Sequence, residues 1–545
     1  FSREKKKKWG AGEAHVPEGT QSGPLGLAMP QIQQRRSLRM PAKAIMIQGT
    51  MSSAGKSLIA AGLCRVFHQD GLRVAPFKSQ NMALNSFITR EGLEMGRAQV
   101  VQAQAAGVEP DVRMNPILLK PQSDTGSQVI VNGEVWGNMA AAEYYRRKPE
   151  LLPCIRRAYE SLAAQYDVVV IEGAGSPAEI NLKENDIVNM GMARLARAPV
   201  LLVGDIDRGG VFASLYGTAA LLEDWERRHL AGLIINKFRG DVALLRPGLT
   251  QIETLTGLPV VGVVPWLRLD IDDEDSLSSR LEGRPGAFGA PEIAILRFPR
   301  ISNFTDFAPL ETLPGVSVRY VTCPGELGEP DFIILPGTKS TIGDLLWLRQ
   351  NGLEAAVKPV AARGTPVLGV CGGYQMLGRT LTDPEGVEAA PGTTVAGLGL
   401  LPADTVFGGE KVRTRMAGQV LTGPAGLAGL EKAPVEGYEI HMGRTVVEEG
   451  LPPFCRIAPV EGGREREDGA VAGNVWGTYL HGLFDSGELL SRLWRLLAER
   501  KGLDLAAAPA FDPAAHREEQ YSLLAAALRQ SLDMAKIYRI LEEGI

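Results

Sequence analysis

From residue 43 onward, short apolar runs alternate with longer amphipathic stretches, and that rhythm admits few folds. Strands buried on both faces read as unbroken apolar runs, and parallel pairing requires a crossover, usually helical, between them. The pattern therefore predicts an α/β chain with parallel sheets. The first series of strands is expected at 44–48, 73–77, 167–171, 199–203, 233–236 and 260–264, most flanked by Gly, Pro or Asn. Residues 268–290 break the rhythm with Asp, Glu, Ser, Gly and Pro, and read as a linker. A second series follows at 292–298, 316–321, 331–335 and 366–370. The expected division is 41–267 for one domain, 268–290 for the linker, 291–487 for a second domain and 488–545 for C-terminal helices, at 489–499 and 518–541. The default position for those helices is against the second domain. A length of 545 residues agrees, because one core rarely grows that large.

Composition narrows the function classes. A net charge of -5 gives no reason to expect nucleic acid or an anionic membrane as partner. No run is apolar for long enough to span a bilayer. The five cysteines, at 64, 154, 323, 371 and 455, show no CxxC spacing. That argues against a zinc cluster and fits a reducing compartment, so a cytoplasmic location is expected. Residues 1–40, with the basic run Lys5 to Lys8, read as a disordered tail or as sequence upstream of a start at Met40. They contain no signal-peptide core.

The string Gly49-Thr50-Met-Ser-Ser-Ala-Gly55-Lys56-Ser57 follows a predicted strand and opens a helix-like run. This is the setting of a P-loop: backbone N–H groups converge on phosphate oxygens at a helix N-terminus. Lys56 would neutralise the β- and γ-phosphates of ATP, and Ser57 would hold Mg²⁺. The spacing is one residue longer than the usual signature, and Thr50 stands where a glycine normally falls. The plainer reading is a glycine-rich turn without nucleotide. Glu172 ends the 167–171 strand and is a candidate Mg²⁺ ligand, or else a solvated strand-end acid. Asn236 ends another strand, where its amide would meet an adenine edge or form an Asx turn.

In the second series, Pro366-Val-Leu-Gly369-Val-Cys371-Gly372-Gly373 runs from an apolar strand into G-x-C-x-G. This is the thiol form of a nucleophile elbow, where flanking glycines permit a strained turn that exposes the sulfur. Cys64, by contrast, reads as a buried structural cysteine. A nucleophilic thiol needs a base. Of the six histidines, only His441 and His481 come later in this domain. His481 follows the strand-like Trp476-Gly-Thr-Tyr-Leu480 and is preferred; His441 reads as structural or substrate-side. Gly337 ends the 331–335 run, so its N–H and that of Gly372 would form an oxyanion hole.

Together these strings resemble one family. With Val74-Ala-Pro-Phe-Lys78-Ser-Gln80-Asn81-Met, Met114-Asn-Pro-Ile-Leu-Leu-Lys120-Pro, Asp205-Ile-Asp207-Arg208-Gly-Gly, Asn236-Lys-Phe-Arg-Gly-Asp241, Ser302-Asn-Phe-Thr-Asp306 and Pro336-Gly-Thr-Lys-Ser-Thr341, the chain is similar to the cobyric acid synthases from about Ala44 to Asp485. These are glutamine-dependent amidotransferases of cobalamin biosynthesis. The resemblance implies a dethiobiotin-synthetase-like P-loop domain, which shares the longer loop spacing, joined to a class I glutamine amidotransferase domain. It further implies ATP- and glutamine-dependent amidation of four peripheral carboxylates (b, d, e, g) of a cobyrinic acid a,c-diamide, normally adenosylated. Each amidation consumes one glutamine and one ATP.

Phosphorylation of a carboxylate supplies a good leaving group, and ammonia freed inside the protein escapes protonation to ammonium. That logic requires the two sites to be coupled, by a channel or by docking of the domains. The corrinoid would lie near Lys78, Gln80, Asn81 and the loop carrying Asp205 and Asp207, unless these serve only loop and turn geometry. One departure stands out: typical class I members carry His-Pro-Glu, but here the string is His481-Gly-Leu-Phe484. What orients His481 is therefore open, as is the oligomeric state. Two alternatives compete: cobyrinic acid a,c-diamide synthase, and a P-loop partner-binding switch with an inactive glutaminase domain.

Overall fold

The structure is a computed structural model describing residues 42–122, 126–272, 289–503 and 511–545. The expected N-terminal tail and most of the expected linker, 273–288, lie outside these residues. Each expected strand of the first series forms. In chain order β1 (Lys43–Gly49) leads into helix α1 (Lys56–Gln69) and then β2 (Val74–Phe77). After a long excursion come β5 (Val168–Glu172), β6 (Val200–Asp205), β7 (Leu230–Phe238) and β8 (Val260–Pro265). They make one parallel sheet in the order β8-β7-β6-β1-β5-β2. β5 (VVVIE) is buried at every position, as a central parallel strand must be. Pro76 lies in β2, an edge strand, where a missing N–H is tolerated.

The excursion between β2 and β5 was not legible in the sequence. It contains the hairpin β3 (Ser86–Ile88) and β4 (Glu94–Gly96), then helix α2 (Arg97–Ala105). A four-stranded sheet of Gln80–Met82, Ile117–Pro121, Gly126–Val131 and Glu134–Ala140 completes it. Several of these strands are only three residues long, too short to show a period.

The second sheet begins with β9 (Glu292–Leu296), β10 (Ser317–Val321), β11 (Phe332–Leu335) and β12 (Val367–Val370), followed by the one-and-a-half-turn helix α3 (Gly372–Leu377). A long antiparallel pair, β13 (Ala403–Val420) and β14 (Pro434–Val447), then leads to β15 (Ala470–Ala472) and β16 (Val475–Thr478). The sheet order is β10-β9-β11-β12-β16-β15, parallel except for the edge strand β15.

Helix α4 (Gly487–Arg500) packs Leu489, Leu490, Leu493, Trp494 and Leu497 into the core of this second sheet. The next two helices do not stay there. α5 (Pro513–Ser531) and α6 (Met534–Glu543) cross back to the first sheet, where Tyr521, Leu524, Leu528, Ile537 and Leu541 share a core with Ile59, Leu63 and Phe67 of α1. The expected single helix over 518–541 is divided because Leu532 bridges to Gly262 of β8 and Asp533 caps α6 by accepting from the Lys536 N–H. α1 is apolar on its outer face as well as its inner one, and α5 covers it. A Cβ on Gly62 would stand 2.3 Å from Leu528 Cδ1, so the helices approach closely only because this residue is glycine. No helix among the described residues is long and apolar enough to cross a membrane.

Truncating Leu528, fully buried against α1, is expected to cost about 2–5 kcal/mol in Leu528→Ala. Denaturant unfolding of the full chain, followed by circular dichroism, measures it; a loss below about 1 kcal/mol would mean that α5 merely rests on the surface.

Candidate active site

Two groups of polar side chains gather at the carboxyl ends of the two parallel sheets. In the first, the chain leaves β1 and turns through Gly55 at φ 97°, where a Cβ would fall 2.0 Å from the amide nitrogen of Asn236. Asn236, at the end of β7, donates Nδ2 to the Ala54 carbonyl (2.9 Å) and so clamps the loop from the side. Lys56 Nζ lies across the loop, 2.9 Å from Met51 O and 3.1 Å from Gly175 O. Gly49 and Thr50 begin the loop, and Thr50 N–H donates to Val203 O of the neighbouring strand β6.

Glu172 is 1% exposed at the end of β5 and gathers four donors. Ser57 Oγ (2.8 Å) and Lys78 Nζ (2.9 Å) reach Oε1, while the amides of Gln99 and Gln102 on α2 reach Oε2. A carboxyl group buried this deeply needs such company, because an unpartnered buried polar group is costly. Ser57 Oγ and Glu172 Oε1 are hard oxygen donors of the kind Mg²⁺ takes from a protein when phosphates and water complete its shell, so the residues fit that ion. Cys64 is buried nearby, and burial pushes its thiol far above the usual range, as expected of a structural cysteine.

The residues expected near a substrate divide. Lys78 and Asp205 both sit beside the phosphate-loop group: Asp205 is 1% exposed and pairs with Lys237 (2.8 Å), whose Nζ also reaches Ser53 O of the loop at 2.6 Å. Asn81 is buried and donates to Gln99 (3.2 Å), which in turn donates to Glu172. Gln80 accepts from Tyr144 OH at 2.6 Å. Asp207 is exposed and pairs with Arg239 at 2.8 Å. Gln99 and Gln102 carried no motif of their own, and Lys237 appeared only within the 236–241 string; folding brings them to the site.

The second group centres on Cys371, directly after β12. Its backbone has φ 51° and ψ −108°, a strained conformation for a residue with a side chain. Gly373 is forced: a Cβ there would lie 1.9 Å from the Leu335 carbonyl of β11. The Cys371 thiol donates to the Ile440 carbonyl (Sγ···O 3.6 Å), and its sulfur is among the neighbours that bear on the charge of His481. Gly337 and Gly372 flank this pair. A Cβ on Gly337 would be 2.9 Å from His481 Cε1, and one on Gly372 would be 3.2 Å from the Thr338 nitrogen.

His481 is 1% exposed, and its Nδ1 lies 2.6 Å from Asp306 Oδ2. The same carboxylate accepts from the Gly482 N–H at 3.2 Å. Burial pulls the imidazole pKa down, but the negative charge of Asp306 and the Cys371 sulfur push it up to about 10. Asp306 is thus what orients His481. It lies 175 positions upstream, in the Ser302-Asn-Phe-Thr-Asp306 string, on the turn after β9. His441 has other partners: its Nδ1 is 3.1 Å from Gly443 O, it stacks on Tyr479, and burial lowers it to about 4.

The chain compares closely with known proteins. Residues 45–276 match the model of the CobQ/CobB/MinD/ParA nucleotide binding domain, and residues 292–489 match the CobB/CobQ-like glutamine amidotransferase domain. The chain is 58% identical to the cobyric acid synthase of Ruminiclostridium cellulolyticum over 92% of this chain and 98% of that one. It is 53% identical to the cobyric acid synthase of Salmonella choleraesuis, over 92% and 99% of the two chains. The chain belongs to the cobyric acid synthase family. The P-loop group lies in the nucleotide-binding part of this family's two-part chain, and the Cys371–His481 group in its glutamine amidotransferase part. Each half follows its own parallel α/β sheet, as the sequence pattern predicts.

Asp306 generates a prediction for this cobyric acid synthase homologue. Asp306→Asn should lower glutamine-driven turnover about 10²–10⁴-fold, by analogy with loss of the orienting carboxylate in triads. The sign of the pH effect follows from a raised pKa: stability from the pair is complete below the ordinary pKa of about 6.5 and disappears as pH climbs through about 10. Wild type should therefore exceed Asp306→Asn in unfolding stability at pH 6, with the gap closing toward pH 10. A pH-independent gap in chemical denaturation would show that the charge pair is not its source.

Proposed function

We propose that the chain amidates the b, d, e and g carboxylates of cobyrinic acid a,c-diamide, normally in its adenosyl form, with ATP and glutamine, yielding cobyric acid. The observation that carries this reading is that, in one member of this family, Asp306 lies 2.6 Å from the His481 ring and Ser57 lies 2.8 Å from Glu172. In the proposed division, 41–267 handles ATP and acceptor, 291–487 handles glutamine, 268–290 joins them, and the helices of 488–545 brace both. The scattered thiols favour a cytoplasmic location.

On the glutamine side, Cys371 attacks the side-chain amide. The N–H groups of Gly337 and Gly372 receive the oxyanion. His481 moves the proton to the departing ammonia, and water then cleaves the thioester to give glutamate. Asp306 keeps the imidazole turned toward the sulfur and stabilises its charged form. On the other side, Lys56 and the amides of the loop from Gly49 through Thr50 to Gly55 hold the ATP phosphates. Asn236, with its Nδ2 engaged by Ala54, meets the adenine edge through its carbonyl oxygen. Ser57 and Glu172 would hold Mg²⁺, which would neutralise charge on the phosphate oxygens. Lys78, Gln80, Asn81, Asp205 and Asp207 form the corrinoid side, Asn81 acting through Gln99.

Cys371→Ala should abolish amidation from glutamine while synthesis from ammonium salts survives. Lys56→Ala should abolish both. Mass spectrometry of the corrinoid product, counting carboxylates converted, is the readout. Undiminished glutamine use by Cys371→Ala sinks the nucleophile assignment, and substantial synthesis by Lys56→Ala removes the P-loop from the chemistry. Exclusive consumption of unamidated cobyrinic acid would favour the a,c-diamide synthase instead.

A further inference from the structure

The glutamine site is not built by its own domain alone. Tyr438, on β14, is buried, and its ring lies nearly parallel to the His481 imidazole, with centroids 5.4 Å apart and planes at 15°. The two residues also exchange backbone hydrogen bonds, at 2.8 and 3.1 Å. The Tyr438 hydroxyl leaves the domain: it donates to the carbonyl of Ser86 in β3, on the nucleotide-binding side, at 3.0 Å. Asn303 closes the loop. Its Nδ2 donates to the same hydroxyl (3.0 Å), and its Oδ1 accepts the Ser86 N–H (3.2 Å). Asn303 holds a left-handed φ of 52° and begins the turn that carries Asp306, whose N–H donates to Asn303 O. The neighbouring Phe304 N–H donates to the Asn85 side chain at 3.1 Å. Both partners of the 2.6 Å Asp306–His481 contact are therefore attached to one short segment of the other domain, Asn85–Ser86.

That segment has a second attachment. The Arg97 N–H, at the first residue of α2, donates to Asn85 O (3.3 Å). Further along the same helix, Gln99 and Gln102 donate to Glu172, the carboxylate beside Ser57 and the phosphate loop. A rigid helix thus connects the Mg²⁺-fitting carboxylate to the segment on which the histidine pair rests. Phe87 and Ile88 of β3 pack on Tyr438 and Ile440, so the connection is covered by an apolar contact and shielded from water. A shift of this segment would move the Tyr438 hydroxyl and the Asn303 amide together, and with them the ring and the carboxylate.

We infer that Tyr438 and Asn303 are positioning residues through which the nucleotide-binding domain sets the Asp306–His481 geometry, so that glutamine is cleaved fast only when the ATP site is filled. The inference rests on the assignment of Cys371 and His481 as the glutaminase pair. It is tested in the full chain by Tyr438→Phe, which keeps the stacked ring and deletes only the hydroxyl, and by Asn303→Gly, which keeps access to positive φ. Glutamate release is followed with and without ATP, Mg²⁺ and cobyrinic acid a,c-diamide, alongside amidation driven by ammonium chloride. Wild type should show a kcat for glutamine raised about fivefold or more by the full set of substrates, a typical size for coupling between sites. Both variants should lose most of that stimulation with glutamine KM within about twofold of wild type, and ammonium-driven synthesis should persist.

Absence of stimulation in wild type, or retention of it in both variants, overturns the proposal. So does an equal fall of the ammonium-driven and glutamine-driven rates, which marks general damage to the fold. Failure of the underlying assignment looks different: Cys371→Ala would then still release glutamate.

Discussion

A carboxylate 2.6 Å from a buried imidazole organises the back half of this molecule. In water such a pair would be worth little, because solvent screens the attraction. Here His481 and Asp306 are both withdrawn from solvent, so the carboxylate holds the ring in one orientation and keeps it protonated far above its ordinary range. Everything around the pair serves that geometry. The strained backbone at Cys371 presents the sulfur, Gly337 leaves room beside the ring, and Tyr438 lies flat against its face. Removing any one of these would leave the reacting groups present and misplaced.

The front half shows the same logic with opposite charge. Glu172 is a buried anion surrounded by donors from Ser57, Lys78, Gln99 and Gln102. Those donors come from three separate stretches of chain, so the carboxylate ties the phosphate loop, the end of β2 and helix α2 into one unit. Burial of the charge is costly, and the hydrogen bonds offset that cost only while all of these elements are in place. The domains meet where α2 begins. The hairpin of the nucleotide-binding domain touches Tyr438 there.

How much of this was legible in the sequence depends on how the chemistry is distributed along the chain. The phosphate loop and the thiol elbow are contiguous strings, because a tight turn at a strand end needs its glycines and its reactive residue within a few positions. Lys56, Ser57, Cys371 and Gly372 could therefore be named from spacing alone. His481 was reachable by elimination among a few histidines, aided by the strand-like run before it. Asp306 was not. It carries no local signature beyond a family string, and its distance from His481 in the sequence hides a separation of one hydrogen bond. The same holds for Gln99, Gln102 and Lys237, ordinary polar residues until the fold brings them to a buried charge.

The two parallel sheets and their strand positions came from apolar patterning, since strands covered on both faces admit almost no polar residues. The three-residue strands of the excursion and the long β13–β14 pair escaped it, being too short or too exposed to leave a period. The last helices were recognisable as helices, yet their partner was not: amphipathicity tells which face is apolar and says nothing of which surface covers it. Sequence by itself determined the fold class and placed the phosphate-loop and G-x-C-x-G strings, because each is written in residues close together. Only the tertiary structure decided what orients the base, how the domains touch and where the C-terminus packs, because those depend on contacts between residues far apart in the chain, and chain order does not encode proximity in space.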